Sequence, residues 1–359
     1  MIIYIILLSL MLIGSYSRNA KFFYLLSILS LFFVSAFRDP SMSGDFPNYE
    51  RIFDDSPVLG DFFSYGAESL SQYTVGYVFL NSIAKSFIND YNFFQVVHSF
   101  VGISLLWLVI QRLNLTYKEK CYLLLSVFCF IFIWYFWNIL RQNIANLLFW
   151  LFIIWYYKNQ PTFNLKNWIV ILGGIFIPSL FHSSGLINLV LFPLMILVGR
   201  FTPMTRLKII IPISISVYIL SSYLIGPLLS VMVNVIDPRY EMYIGATAGN
   251  GNIINYSLKL LFLILFSFHY EKEDYPYKKM ILDTLTMVVL ISSVNQELLN
   301  RVCEYYAIGL YLSFCFVSHY FRKFDRNFVS LVFALVLVVI FIRFIHISCG
   351  GGFLEYRFM

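Results

Sequence analysis

Arg141 lies within FWNILRQNIANLLFW at the start of an apolar helical run, where an unpaired guanidinium is costly. Charge inside an apolar segment is by default a functional feature. The alternative is an arginine that snorkels to a boundary or pairs with a loop carboxylate. The adjoining Gln142 adds an amide able to bind sugar hydroxyls. His182, in PSLFHSSGLINL, has Ser183 and Ser184 beside it at a turn between two apolar runs. A histidine there can exchange a proton near neutral pH, or it can simply hydrogen-bond at an interface. The stretch FRDPSMSGDFPNYERIF supplies Arg38, Asp39, Gly44, Asp45 and Tyr49. Its prolines and glycine force turns, so Arg38 and the carboxylates can fold back over the membrane surface, with Asp45 a second candidate base. A generic solvated loop has a similar composition. NQELLNRVCEYYAIGLY brings Arg301, Glu304, Tyr305 and Tyr306 together; Arg301 and Glu304, three apart, could neutralise one another. With Arg239 from a second polar stretch, four arginines form a candidate cationic set. Arginine rather than lysine suits bidentate capture of phosphate or carboxylate.

The elements that must position these groups are apolar. The chain has 359 residues, 60% hydrophobic and only 12% charged, against about 25% charged in ordinary soluble domains. A water-soluble globule is therefore excluded, and an all-α, polytopic integral membrane protein is expected. Helices fit because lipid leaves no water for open backbone groups, and the sequence lacks the strict alternation of a barrel. Twelve apolar stretches begin near residues 2, 22, 93, 121, 141, 167, 183, 207, 253, 280, 302 and 327. A further segment, Gln72 to Ile88, is more polar and its apolar residues fall mostly on one face.

Charge decides how that segment is read. If 72–88 does not cross, six short linkers carrying 16 of the 25 Lys and Arg all fall on one side; if it crosses, the bias is scrambled. The positive-inside rule thus favours an interfacial or re-entrant helix there, with both termini outside. Polar function is then concentrated on the outer side, in loops 38–92 and 234–252, and the chain reads as a single transmembrane domain, residues 1–359. The net charge of +6 belongs to this membrane asymmetry, and no nucleic-acid partner is expected. Five scattered cysteines form no CxxC pair, and the acidic residues show no metal-ligand spacing, so neither a disulfide framework nor a metal or other cofactor is expected. Nucleotide-loop, zinc-protease and serine-elbow motifs do not occur. Gly350 to Gly352 reads as a flexible tail.

These residues, in this order, resemble the EpsG family of bacterial polytopic proteins, which sits among the Wzy-like polymerases of O-antigen, capsule and exopolysaccharide synthesis. The resemblance rests on Phe37, Arg38, Gly44, Asp45 and Tyr49; on RQNIA at Arg141 to Ala145; and on FHSSGLI at Phe181 to Ile187. Arg301 with Tyr305 and Tyr306 is similar to the family's late arginine and aromatic element. Where such proteins often carry an acidic residue just before a Gly-Tyr pair, this chain has Thr74 and Val75 before Gly76 and Tyr77, with Glu68 as a displaced equivalent. The resemblance implies a glycosyltransferase of the bacterial inner membrane, acting on undecaprenyl-pyrophosphate-linked oligosaccharides at the periplasmic face. Membrane lipid and a chain-length regulator protein are the further partners it admits. On that reading Arg38, Tyr49, Arg141, Gln142, Arg239, Arg301 and Tyr305 bind substrate, and His182 or Asp45 is the base. Two alternatives remain open: a transporter of lipid-linked oligosaccharide, and a ligase or a transferase using a polyprenyl-phosphate sugar. Paired charges near mid-membrane and repeated halves would mark a transporter, and neither is visible.

Overall fold

The computed structural model describes residues 2–64, 73–161, 164–235, 251–271, 277–294, 297–317, 325–348 and 356–359. Arg239, Glu68, Gly350 to Gly352 and most of the predicted 234–252 loop lie outside the described residues. The described residues are helical throughout, apart from turns and one isolated backbone bridge. A helix, or in one case a short 3-10 turn, begins within a few residues of each of the twelve predicted starts. Two helices, Tyr91–Arg112 and Pro203–Ser221, have the length and apolarity to cross a membrane, and six shorter apolar helices accompany them among the described residues. The polar segment near 72–88 forms a helix of 13 residues, Val75–Phe87, well short of the roughly 20 needed to span.

The chain divides into two compact units, residues 1–186 with 321–359, and 187–320. The first contains α1 (Ile2–Tyr16), α2 (Ala20–Ala36), α3 (Phe46–Asp55), α4 (Val75–Phe87), α5 (Tyr91–Arg112), α6 (Tyr117–Val127), α7 (Leu140–Asn159), α8 (Leu165–Ser179) and, from the end of the chain, α15 (Arg326–Ser348). Local signals set the ends. Asp90 caps α5 through the Asn92 N–H, Thr116 and Glu119 form a reciprocal capping box on α6, and Asn164 caps α8 through Asn167. Gln160, left-handed at φ 40°, terminates α7.

The run predicted to start near 121 is not uniformly α-helical. After α6 the backbone continues as two π-helical stretches, Phe128–Phe132 and Trp134–Asn138, and breaks before α7. Such widened turns are rare and frequently accompany functional sites. The run predicted near 302 is likewise interrupted, for the reason given below.

The second unit holds α9 (Asn188–Val198), α10 (Pro203–Val235), α11 (Gly251–His269), α12 (Lys278–Ser292), α13 (Glu297–Cys303) and α14 (Ile308–Phe316). Residues 304–307 turn between α13 and α14 and carry Glu304, whose Oε2 accepts the Tyr311 hydroxyl at 2.5 Å. A buried Arg206–Asp283 ion pair, flanked by the exposed Lys279, anchors the start of α12. Arg206 donates to Asp283 Oδ1 at 2.5 Å and to the Phe201 and Gly199 carbonyls, while Lys279 holds the other carboxylate oxygen at 2.9 Å. Each nitrogen of that guanidinium group thus donates to an oxygen, the condition under which a buried ion pair is tolerable.

Candidate functional site

Three segments that are distant in sequence converge in the first unit. α3 packs on α4 and α5, and the three share an aromatic core with the start of α7: Tyr49, Ile52, Phe53, Tyr77, Tyr91, Phe94 and Leu140. The Tyr49 and Tyr77 rings lie 5.8 Å apart, and Tyr77 meets the His98 ring at 6.3 Å. Lys85 fixes the end of α3 by donating to three carbonyls, Phe53 at 3.2 Å, Asp54 at 2.7 Å and Ser56 at 2.9 Å. These are the acceptors that a helix C-terminus leaves open.

Tyr49 is the hinge between the segment 38–64 and RQNIA. Its buried phenol oxygen is placed to accept from both the side chain and the backbone N–H of Arg141. Burial holds the phenol above its ordinary pKa, opposed by the Arg141 charge. The Arg141 backbone N–H belongs to the first turn of α7, where amides have no partner within the helix. Arg141 itself is half-buried and its Nε has no hydrogen-bond partner, so part of the guanidinium is unspent. Asp45 stands exposed at the start of α3, close enough to act electrostatically on Tyr49. Gly44 is tethered by its N–H to Asn138 Oδ1 at 3.0 Å, so the π-helical turn that presents Asn138 holds the loop over the start of α7.

FHSSGLI is bolted to the start of α4. The Gly76 N–H donates to the Leu180 carbonyl at 2.8 Å and the Thr74 hydroxyl to the Phe181 carbonyl at 2.6 Å. The approach is close enough that a methyl at Gly76 would stand 3.0 Å from that same Leu180 oxygen. Within the hairpin a methyl at Gly185 would meet the Ser179 nitrogen at 2.8 Å. Glycine at both places is thus a packing requirement. His182 Nδ1 sits 2.7 Å from the Ser184 hydroxyl and 3.3 Å from the Ser184 N–H.

Arg38 departs from its expected place. Instead of lying over the surface it turns inward and is 1% exposed. Nη1 donates to the Ser35 carbonyl at 2.6 Å and Nη2 to the Trp137 carbonyl at 3.3 Å, with the guanidinium 5.7 Å from the Trp137 ring. No carboxylate pairs with it among the described residues, its Nε lacks a partner, and burial lowers its pKa to about 10, leaving it charged at neutral pH. Gln95 donates to the Arg38 and Ala36 carbonyls at 2.7 and 3.1 Å. The far end of the chain closes the arrangement: Asp39 N–H donates to the Arg357 carbonyl at 2.9 Å, Met359 N–H to Phe37 at 3.1 Å, and the Tyr356 hydroxyl to Val34 at 2.7 Å.

The first unit therefore gathers Arg38, Asp45, Tyr49, Arg141, Gln142 and His182, whereas Arg301 and Tyr305 lie in the second. Gln142 and Tyr305 are fully buried, and Arg301 is half-buried. Gln95 and Asn138 escaped the sequence reading because single amides in apolar runs look like ordinary core residues. Residues 21–358 match the EpsG family. The chain belongs to the EpsG family. No curated protein and no solved structure matches it. EpsG membership and the apolar helices together make this a membrane protein associated with polysaccharide biosynthesis.

Proposed function

We propose that this EpsG protein is a polysaccharide polymerase that joins undecaprenyl-pyrophosphate-linked oligosaccharide units at the periplasmic face of the inner membrane. The observation that carries the reading is the meeting of the 38–49 segment and RQNIA at Tyr49 and Arg141, with FHSSGLI bonded to the start of the neighbouring α4. A hydroxyl of the acceptor unit attacks the donor sugar C1, the C1–O bond to pyrophosphate breaks, and undecaprenyl pyrophosphate departs. Pyrophosphate is already a good leaving group. The protein needs cations where phosphate charge develops, a base for the hydroxyl proton, and contacts that align the two sugars. Arg141, with an uncommitted Nε at a helix N-terminus, fits the first task, and the helix dipole adds to its field. His182, held by Ser184 in the FHSSGLI turn, fits the second, with exposed Asp45 as the competing base. Arg38 fits best as the residue that orders the loop, given its buried bonds to Ser35 and Trp137. Arg301, Tyr305 and Arg239 are assigned to substrate on the family pattern alone.

The test is polymerisation of undecaprenyl-linked repeats by purified protein in detergent, with Arg141→Ala and His182→Ala beside the parent. Loss of polymer in both, with substrate units retained, is the expected outcome. Detergent abolishes compartments, so a transporter would give no product even from the parent chain. Wild-type polymer length in both variants would remove these two residues from the mechanism.

A further inference from the structure

Beneath Arg141 the interface between α5 and α7 is polar at a depth where lipid-embedded helices normally carry hydrocarbon. Four side chains there are at most 2% exposed and carry polar atoms with no hydrogen-bond partner: Gln95 Oε1, Ser99 Oγ, Asn143 Nδ2 and both amide atoms of Asn146. The Tyr77 hydroxyl, 0% exposed, is a fifth such group. They are carried by neighbouring helices: α4, with Tyr77, packs on α5, and α5 packs on α7. Gln95, Ser99 and Gly102 recur at helical spacing on α5, and a methyl at Gly102 would lie 3.4 Å from Asn143 Nδ2 on α7. Asn146 follows one turn further along α7, and His98 Nε2 reaches the Leu140 carbonyl at 3.2 Å.

Ser99 gives the sharpest signal. Ser15, Ser27 and Ser82, also buried in helices, satisfy their hydroxyls on the carbonyl four residues back. Ser99 does not, although the same acceptor position is available to any helical serine. Each buried polar group without a partner costs on the order of 1–3 kcal/mol, and five in one seam would be an unreasonable loss if nothing ever met them. The set comprises neutral donors and acceptors, amide and hydroxyl, beside the rings of Tyr77, His98 and Phe94. Neutral hydrogen-bonding groups next to aromatic faces complement the hydroxyls and C–H faces of sugars, and they offer a phosphate nothing to neutralise it.

We infer that the α5–α7 seam, through Tyr77, Gln95, Ser99, Asn143 and Asn146, is a saccharide subsite that takes hydroxyls of the lipid-linked oligosaccharide while Arg141 holds its diphosphate. This rests on the reading above that the substrate is a glycan on a polyprenyl diphosphate. It adds where the glycan is read and by which residues.

Single cysteines at Ser99 and Asn143 in the full-length chain test it, with labelling of the native cysteines subtracted. Phe100→Cys, whose side chain faces away from the seam and is 61% exposed on the apolar surface, is the control. A small water-soluble methanethiosulfonate should modify Ser99→Cys and Asn143→Cys but spare Phe100→Cys. The lipid-linked oligosaccharide fraction from the producing cells should protect both, and sugar-free undecaprenyl pyrophosphate should protect neither. No modification of either seam cysteine would overturn the pocket; protection by neither lipid, or equally by both, would overturn the sugar assignment. A second measurement covers the case in which a cysteine variant fails to fold. Asn146→Leu with Ser99→Ala should bind undecaprenyl pyrophosphate as the parent does, while the extra affinity contributed by the sugar falls about tenfold. Equal loss for both lipids would refute the subsite. Failure of the polymerisation assay would remove the transfer reaction and leave these binding results standing.

Discussion

Tyr49→Phe isolates the contact on which the site is built. The substitution keeps the ring, its burial against Ile52 and Phe53, and its 5.8 Å packing on Tyr77, so no cavity forms. What disappears is the oxygen placed to accept from both the guanidinium and the backbone N–H of Arg141. A hydrogen bond to a charged donor contributes about 1.5–3 kcal/mol and a neutral backbone one about 1 kcal/mol. Their joint loss comes to about 2.5–4 kcal/mol. If all of it is expressed in the positioning of Arg141, polymer formation falls by about two to three orders of magnitude, at about 1.4 kcal/mol per factor of ten. Water reaching the half-buried guanidinium would return part of this, so a fall of about 30-fold is the lower bound. Burial holds the Tyr49 phenol protonated through the neutral range, so the ratio of variant to parent should be flat between about pH 6 and pH 8. Polymer yield and detergent melting temperature are measured side by side. Parent-level polymer in Tyr49→Phe would refute the idea that this phenol positions Arg141, and a pH-dependent ratio would refute the protonation argument.

Further outcomes follow from single contacts. Ser184→Ala frees His182 Nδ1 and should lower turnover about tenfold at unchanged KM while altering the pH–rate profile, a change that a purely structural serine would not produce. Gly76→Ala forces apart the bonded backbones at Gly76 and Leu180 and should cost about 1–3 kcal/mol, read as a lower melting temperature together with reduced polymer. Asp283→Ala leaves Arg206 buried without its carboxylate and should destabilise the second unit by about 3–5 kcal/mol, seen in limited proteolysis of purified protein. Lys85→Met uncovers three carbonyls at the end of α3 and should increase amide exchange there before it affects the melting temperature.

The helix pattern was legible because lipid imposes it: the apolar runs and their polar punctuation fall where the helices begin, and the weak segment near 72–88 is a short helix. Arg141 and His182 were legible as polar residues out of place in apolar surroundings. The loop arginine was only half legible. Composition marked Arg38 as notable, but its inward turn depends on the Trp137 carbonyl, 99 residues away, and on backbone pairing with the end of the chain. The π-helical stretch was illegible, since FCFIFIWYFWN differs from a regular apolar helix only in which hydrogen bonds tertiary contacts favour. The same holds for the amides of α5 and α7. One asparagine in an apolar run says little until the helix facing it is known.

The pairing of Phe37 and Asp39 with Arg357 and Met359, and of Val34 with Tyr356 at a separation of 322 residues, has a consequence for biogenesis. The cation at position 38 emerges early in synthesis, yet the strand-like partner that completes its enclosure is translated about 320 residues later. Until then the nascent polypeptide must carry an incompletely sheltered guanidinium through insertion. Variants in which Tyr356 to Met359 are replaced by a glycine-serine stretch should therefore be cleared by quality-control proteases although every apolar helix is intact.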